Sequence, residues 1–270
     1  ERGESLPAAI TLGIHPLHYM GSMAYHYPPN VRKYEIIGAL FGEPYKVASC
    51  GVEGLDIPAG AEIVIEGEIL ADTHEPEGPF GEFTGYSLGA REREVVKVTA
   101  ITHRKDAYFY DMNVGHLDHM LLSTIPMEAN LLRAVRSMVP SVTSVRVPSP
   151  FTCYVSIEQR LKGQAKNAIM AVFGADLYIK RVVVVDQDVD IYDDRQVNWA
   201  IATRCQPDRD LIIINGARGS DLDPSTSGDD GFTSKWGVDA TAKPLLTEFT
   251  PRHHFPEDVW DGIDVEALLS

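Results

Sequence analysis

The stretch KRVVVVDQDVDIYDDRQVNWAIATR, residues 180–204, decides the fold class. Residues 182–185 are four consecutive valines, with none of the alternation that marks a strand solvated on one face. An unbroken β-branched run of this length predicts a strand buried on both faces. DRQVNWAIATR (194–204) then reads as a helix capped by Asp193 or Asp194. Upstream, CYVSIEQ (153–159) reads as a strand and LKGQAKNAIMAVFGA (161–175) as a helix with Gly174 near its end. Before them, STIPMEANLLRAVRSMV (123–139) carries apolar residues at 127, 131, 132, 135, 138 and 139 and stops at Pro140, a helical stripe. Downstream, DLIIIN (210–215) reads as another buried strand. Strand, helix, strand, helix, strand in this order predicts a small α/β layer from about residue 125 onward. The polar segment 216–244 reads as a long loop, of a length usually reserved for function or interfaces.

The first half has a different rhythm. PAAITLGI (7–14) and EIVIEGEIL (62–70) are short β-branched runs, the second alternating Ile63 and Ile65 with Glu62 and Glu66. EVVKVTAITHR (94–104) and AYFYDMNV (107–114), joined through Lys105 and Asp106, predict a hairpin. Pro44, Pro58, Gly60 and Pro79 punctuate loops between strands, which suggests a barrel or sandwich. No internal repeat is present.

The bulk composition narrows the function classes. The chain has 270 residues, 44% hydrophobic and 23% charged, as in an ordinary soluble globular protein. Its formal net charge of -15 argues against nucleic acid, whose phosphates need a basic surface, and against anionic membranes. Cys50, Cys153 and Cys205 lie far apart and make no zinc spacing, so reduced thiols and the cytoplasm are expected.

Several constellations invite chemistry. The aspartates 186, 188, 190, 193 and 194 lack the Gly and Glu of an EF-hand loop, since Ile191 and Val197 stand there; strand-end and capping roles are expected instead. His15, His18, His26, His116 and His119 offer no third ligand of clear spacing, and surface or edge positions are expected. Gly216, Gly219, Gly228 and Gly231 make no dinucleotide fingerprint. That leaves EPEGPFGEFTGY (75–86), with Glu77 and Glu82 on either side of a Gly-Pro-Phe-Gly bend. In an extended strand a five-residue offset puts side chains on opposite faces, and the bend can bring both acids toward one pocket. Paired carboxylates in unequal surroundings serve acid and base roles at neutral pH, and the spacing also suits a glycosidase.

PEGPFGEFTGY closely resembles a signature of the UbiD family of reversible carboxy-lyases. The resemblance continues in order through IIGALFGEPYKV, LDIPAGAEIVIEGEI, RVVVVDQDVDIYDDRQVNWAIATRCQPDRD and SKWGVDATAKP, nearly the whole chain. It implies prenylated FMN as cofactor, with a divalent metal (Mn or Mg) and K+ at its phosphate. The implied reaction is decarboxylation, or the reverse, of an aromatic or α,β-unsaturated acid. The implied fold is α/β (α+β): a flavin-reductase-like split β-barrel, residues 1–124, then a small α/β oligomerisation domain with a C-terminal tail, residues 125–270. By the same resemblance, Glu82 matches the acid that protonates the carbon losing CO2, and Glu77 the one that pairs with a substrate-orienting arginine. Ser22 and Met23 resemble the segment lining the flavin.

Three departures accompany the resemblance. The chain opens without Met and at once with a strand, and the family's upstream arginine, Asn and His ligands are not in it. A partner subunit or segment carrying that N-terminal region is therefore expected, alongside homo-oligomerisation. The family's metal-binding Glu falls at Lys33; if residues 33–35 are extended, Glu35 shares its face and can substitute. A cofactor-phosphate base of the family falls at Gly174. The reading is a UbiD-like decarboxylase polypeptide; the alternatives are a non-catalytic UbiD-like subunit kept for assembly and a carboxylate-pair hydrolase.

Overall fold

The computed structural model describes residues 3–24, 29–52, 54–226 and 231–243. In the first part of the chain the elements are β1 (Leu6–Leu12), α1 (Pro16–Ser22), α2 (Lys33–Phe41), β2 (Val47–Ser49) and β3 (Asp56–Pro58). They continue with β4 (Ile63–Glu77), β5 (Phe80–Gly81), β6 (Ser87–Leu88) and β7 (Arg91–His103). β4 is the spine: β1 and β7 flank it, both antiparallel, in a three-stranded sheet. β2 pairs with β3 and β5 with β6 as two-stranded ribbons. A bulge at Thr99 of β7, opposite Glu66 and Gly67, interrupts the β4–β7 ladder. There the Lys97 carbonyl passes so close to Gly67 that any Cβ at that position would collide with it.

The expected hairpin between 94–104 and 107–114 does not form. β7 pairs with β4, and residues 107–113 carry no regular structure, with Tyr108 76% exposed and Phe109 72% exposed. Their β-forming side chains have no neighbouring strand to pair with, and propensity without a partner makes no strand.

The second part begins with α3 (Leu117–Met138), which starts six residues before the stripe that predicted it. There follow β8 (Val142–Ser149), β9 (Thr152–Ile157), α4 (Gln164–Ala175), β10 (Arg181–Asp186), α5 (Asp194–Arg204), α6 (Pro207–Asp210), β11 (Leu211–Arg218) and β12 (Phe232–Asp239). The sheet order is β11-β12-β10-β9-β8, with β9, β10 and β12 parallel and the two outer strands antiparallel. Val182 and Val184 enter a core closed by Leu131 and Val135 of α3 and Ile169 and Val172 of α4. Val183 and Val185 enter a second core with Val197 and Ala200 of α5. The valine run is thus buried on both faces, as its composition requires, and Asp193 caps α5 by accepting from the Arg195 N–H.

Two expectations fail here. DLIIIN is the edge strand β11, with Ile213 64% exposed, and not a buried strand. The supposed loop 216–244 contains β12, which lies between β10 and β11. Its inward positions are Thr233, Lys235 and Gly237 while Phe232 and Trp236 face out, so the polar residues are inside. Lys235 is accommodated because its ammonium donates to the carbonyls of Asp176 (3.4 Å) and Leu177 (2.9 Å), just past α4, and lies over the Phe173 ring. Burial pushes its pKa down. Among the described residues no helix is long and apolar enough to cross a membrane, and all three cysteines are free.

Candidate functional site

β4 and β7 form a long hairpin whose tip, residues 78–90, carries the paired acids. Glu77 is the last residue of β4, opposite Arg91, and its carboxylate lies 3.9 Å from the Arg93 Nε; both side chains are about half exposed. Past the cis Gly78–Pro79 bond, β5 and β6 make a miniature ribbon joined by a closed turn. In that turn the Glu82 N–H donates to the Tyr86 carbonyl and the Gly85 N–H to the Glu82 carbonyl, both at 2.9 Å. Glu82 is half-buried whereas Glu77 is exposed, so the two acids have unequal surroundings.

Neighbouring elements fix this turn. Gly115 (φ 79°) lies against it: a Cβ there would stand 3.4 Å from the Glu82 carbonyl oxygen and from Gly85. Phe83 meets Phe151 edge-on, ring centroids 5.5 Å apart, and Arg91 pairs with Asp221 at 3.0 Å. Phe151 sits in the β8–β9 turn at φ 62°, the one non-glycine residue with positive φ among the described residues. Its carbonyl accepts from the N–H groups of Lys180 (2.8 Å) and Arg181 (2.9 Å), which holds it there. The Thr84 hydroxyl is buried with no hydrogen-bond partner among the described residues.

Ser22 and Met23 end α1. The Ser22 hydroxyl donates to the Tyr19 carbonyl at 2.7 Å, the Lys33 ammonium donates to the Ser22 carbonyl, and Asn130 of α3 reaches the Met23 carbonyl at 3.5 Å. The hairpin tip thus meets Gly115, in the segment just before α3, while the end of α1 meets Asn130 within that helix. The premise for Glu35 is overturned. Residues 33–35 open α2 and are helical, which turns Lys33 and Glu35 roughly 200° apart instead of onto one face. Glu35 accepts from the Arg32 N–H at 3.4 Å, in a capping box. Among the described residues no group of three His, Cys, Asp or Glu gathers as a metal site. Gly174 lies within α4.

The remaining candidates have structural uses. Arg204 holds Asp188 with both carboxylate oxygens engaged and reaches Asp186 at 3.4 Å; burial pushes the Asp186 carboxyl up. His119 accepts from the Gly115 N–H at 3.2 Å, helping to close the segment that meets Glu82. His18 bonds Tyr45 at 2.7 Å inside an aromatic group with Tyr34, and burial lowers its pKa. His26 lies outside the described residues. A cavity of about 700 Å³ borders α2 at Glu35, Gly38, Tyr34 and Tyr45. A second, of about 580 Å³, opens at the carboxyl ends of β9 and β10. Glu77 and Glu82 line neither. Sequence reading missed Arg93 and Phe151, which acquire their places through a cross-strand and an inter-element contact that local spacing does not record, and Thr84, whose burial only the folded turn reveals.

Residues 1–117 match the profile of the 3-octaprenyl-4-hydroxybenzoate carboxy-lyase Rift-related domain (UbiD), and residues 119–240 that of the C-terminal domain of the same carboxy-lyase. The chain belongs to the UbiD family. It is 39% identical over 263 residues to the anhydromevalonate phosphate decarboxylase of Methanosarcina mazei, covering 96% of this chain and 61% of that protein. It is 35% identical over 269 residues to the phenolic acid decarboxylase of Bacillus subtilis, covering 96% and 56%. Among solved structures it is similar to the UbiD-class enzyme HmfF of Pelotomaculum thermopropionicum in complex with FMN: TM-score 0.90, 40% identity, 98% of this chain and 60% of that one. An evolved dimeric form of HmfF in complex with prFMN gives TM-score 0.83 and 37% identity, covering 98% and 58%. The UbiD chain described here thus spans about three-fifths of the length of these relatives.

Proposed function

We propose that this chain is the proton-donor-bearing part of a UbiD-type carboxy-lyase acting on an aromatic or α,β-unsaturated carboxylic acid, with Glu82 as the acid. The observation that carries the proposal is the inequality of the two glutamates at the hairpin tip. Glu82 is half-buried in a turn closed by main-chain hydrogen bonds, while Glu77 stands exposed beside Arg93. When the C–C bond to the carboxyl group breaks and CO2 departs, its electron pair stays on the substrate carbon. The Glu82 carboxylic acid donates its proton there, forming a C–H bond, and the carboxylate takes a new proton from water at its exposed side. In this reading Glu77 pairs with a substrate-orienting arginine from the part of the relatives that this chain does not span, and within the chain its carboxylate lies 3.9 Å from the Arg93 Nε.

The residues present fit a prenylated flavin in part. The unpartnered hydroxyl of Thr84, two residues from Glu82, suits a polar group lodged at this turn, while Ser22 and Met23 are assigned to the flavin by the family resemblance alone. When bound, the flavin supplies the electron sink that decarboxylation requires. Among the described residues no three-ligand group offers itself to a divalent metal or K+, and Glu35 serves as a helix cap, so ligands for either ion would have to come from the part of the relatives that this chain does not span. In this reading the three-stranded sheet is part of a split barrel within residues 1–124, followed by an oligomerisation unit over 125–270. A second segment or subunit supplies the part of the relatives that this chain does not span.

The alternative, a non-catalytic subunit kept for assembly, draws on Lys33, whose ammonium takes the place of a metal-binding acid. Glu82→Gln separates the two readings in an assembled enzyme loaded with flavin. The catalytic reading expects CO2 release to fall by about 10²–10⁴-fold with assembly intact. Undiminished turnover in this variant removes Glu82 from the chemistry.

A further inference from the structure

Pro150 and Phe151 form the turn between β8 and β9, closed by the pairing of Ser149 with Thr152. Proline suits the second position of such a turn, and a positive φ at the third calls for glycine or asparagine. The chain places Phe151 there instead, at φ 62°. That conformation costs stability, and strain of this kind collects where one side chain is needed in one place. The turn has no need of the ring for its own packing: Phe151 belongs to neither core of the five-stranded sheet. Its ring meets Phe83 edge-on, with centroids 5.5 Å apart, and Phe83 directly follows Glu82. The backbone behind the ring is locked from the sheet side. The Phe151 carbonyl accepts from the N–H groups of Lys180 (2.8 Å) and Arg181 (2.9 Å), at the entrance to β10. The Lys180 ammonium in turn holds the buried Asp223 at 2.6 Å. An aromatic ring is thus presented from a rigid sheet at a position whose backbone asks for glycine.

We propose that Phe151 is a positioning residue: its ring, held out on an unfavourable backbone, seats Phe83 and through it sets the direction of Glu82 at the hairpin tip. The inference deepens the proposed function and rests on its reading of Glu82 as the proton donor. The turn that carries Glu82 is closed on itself by two main-chain hydrogen bonds, which fix its shape but not its orientation toward the second unit. Gly115 meets that turn through backbone atoms. Arg91 and Asp221 make a further tie, but both side chains are exposed, and an exposed ion pair contributes little. The aromatic contact is the tie beside the acid. A reacting group displaced by about 1 Å loses much of its rate, which is a reason to hold a strained residue in this turn.

Phe151→Gly tests the proposal, because glycine accepts this backbone and removes only the ring. In the 270-residue chain, amide hydrogen exchange at Glu82 and Gly85 is expected to quicken roughly tenfold, while β9 and β10 keep their rates and Tm does not fall. Phe151→Tyr keeps the ring and is expected to retain the parent rates at the tip. Phe83→Leu is expected to quicken the tip as Phe151→Gly does, and the double variant to add nothing further, since both remove one contact. In the assembled, flavin-loaded enzyme, Phe151→Gly is expected to lower kcat about tenfold with KM little changed. Unchanged exchange at the tip overturns the proposal, as does a quickened tip in Phe151→Tyr. A fall in Tm with faster exchange in β9 and β10 also overturns it, because the ring then serves the fold of the second unit. The exchange rates do not depend on turnover. A loosened tip in Phe151→Gly beside undiminished turnover in Glu82→Gln therefore removes the catalytic reading and leaves the seat of the turn standing.

Discussion

In the five-stranded sheet β10 sends Val182 and Val184 into one core and Val183 and Val185 into another; in the three-stranded sheet β4 sends Val64 into a core of three buried residues among those described and turns Ile65 outward. The first sheet has α3 and α4 on one face and α5 on the other, so every apolar side chain of its central strand meets a helix. The second has described neighbours on one face only. The candidate acid stands on the less self-sufficient of the two, at the far end of its longest hairpin. That tip is in turn tied to the better-packed unit by the Phe83–Phe151 contact and the Arg91–Asp221 pair. A reacting group needs support from rigid elements, and here the rigidity comes from across the molecule.

The contrast can be broken most sharply with buried charge. Val184→Asp places an unpaired carboxylate among fully buried side chains, and a loss of about 5 kcal/mol or more is expected, seen as absence of a cooperative urea transition by circular dichroism. Ile101→Asp, on the outward face of the other sheet, is expected to change the stability of this chain by about 0.5 kcal/mol or less. Equal damage from the two would erase the distinction between the sheets.

A middle-sized effect belongs to the ion pairs that close the parallel sheet. Arg204→Leu leaves Asp186 and Asp188 without their shared partner and is expected to cost about 3 kcal/mol at neutral pH in urea unfolding, less to the extent that Asp188 reaches solvent. Burial already holds the Asp186 carboxyl above its ordinary pKa, and losing the guanidinium raises it further. The folded state then binds more protons than the unfolded one, so stability falls as pH rises out of the carboxylate range. The cost of the substitution should therefore shrink as pH is lowered toward that range.

The smallest effect sharpens the picture of the first half. Burial lowers the pKa of His18, so below its ordinary value of 6.5 the unfolded chain takes up a proton that the folded chain resists. Stability from this group is lost as pH falls through that region and recovered as it rises. His18→Gln should flatten the dependence of Tm on pH there, measured against the parent chain. An unchanged slope would place His18 in solvent, outside the aromatic group it shares with Tyr45.

Legibility differed along the chain for physical reasons. The valine run, α4 and α5 could be read directly, because a strand buried on both faces and a capped helix each leave a local pattern. β12 could not: its buried positions Thr233, Lys235, Gly237, Val238 and Asp239 include only one large apolar side chain, and Lys235 is accommodated by two carbonyls beyond α4 that accept its protons. Residues 107–114 misled in the opposite direction, having β-forming side chains but no strand beside them. At the candidate site Glu77 and Glu82 were legible from their motif. Arg93 and Phe151 were not, since their roles arise from contacts across a strand pair or with residues distant in the chain, and neither was Thr84, whose burial depends on how the turn folds.

The sequence by itself determined the local alphabet of this protein: which segment is apolar on both faces, which turns carry glycine and proline, and which acids flank the bend at residues 78–81. Only the tertiary structure decided what lies against what. It slotted a polar strand into the middle of a sheet and left the Ile10–Ile65–Ile101 row facing outward. The reason is that periodicity belongs to a segment, while burial belongs to its neighbours.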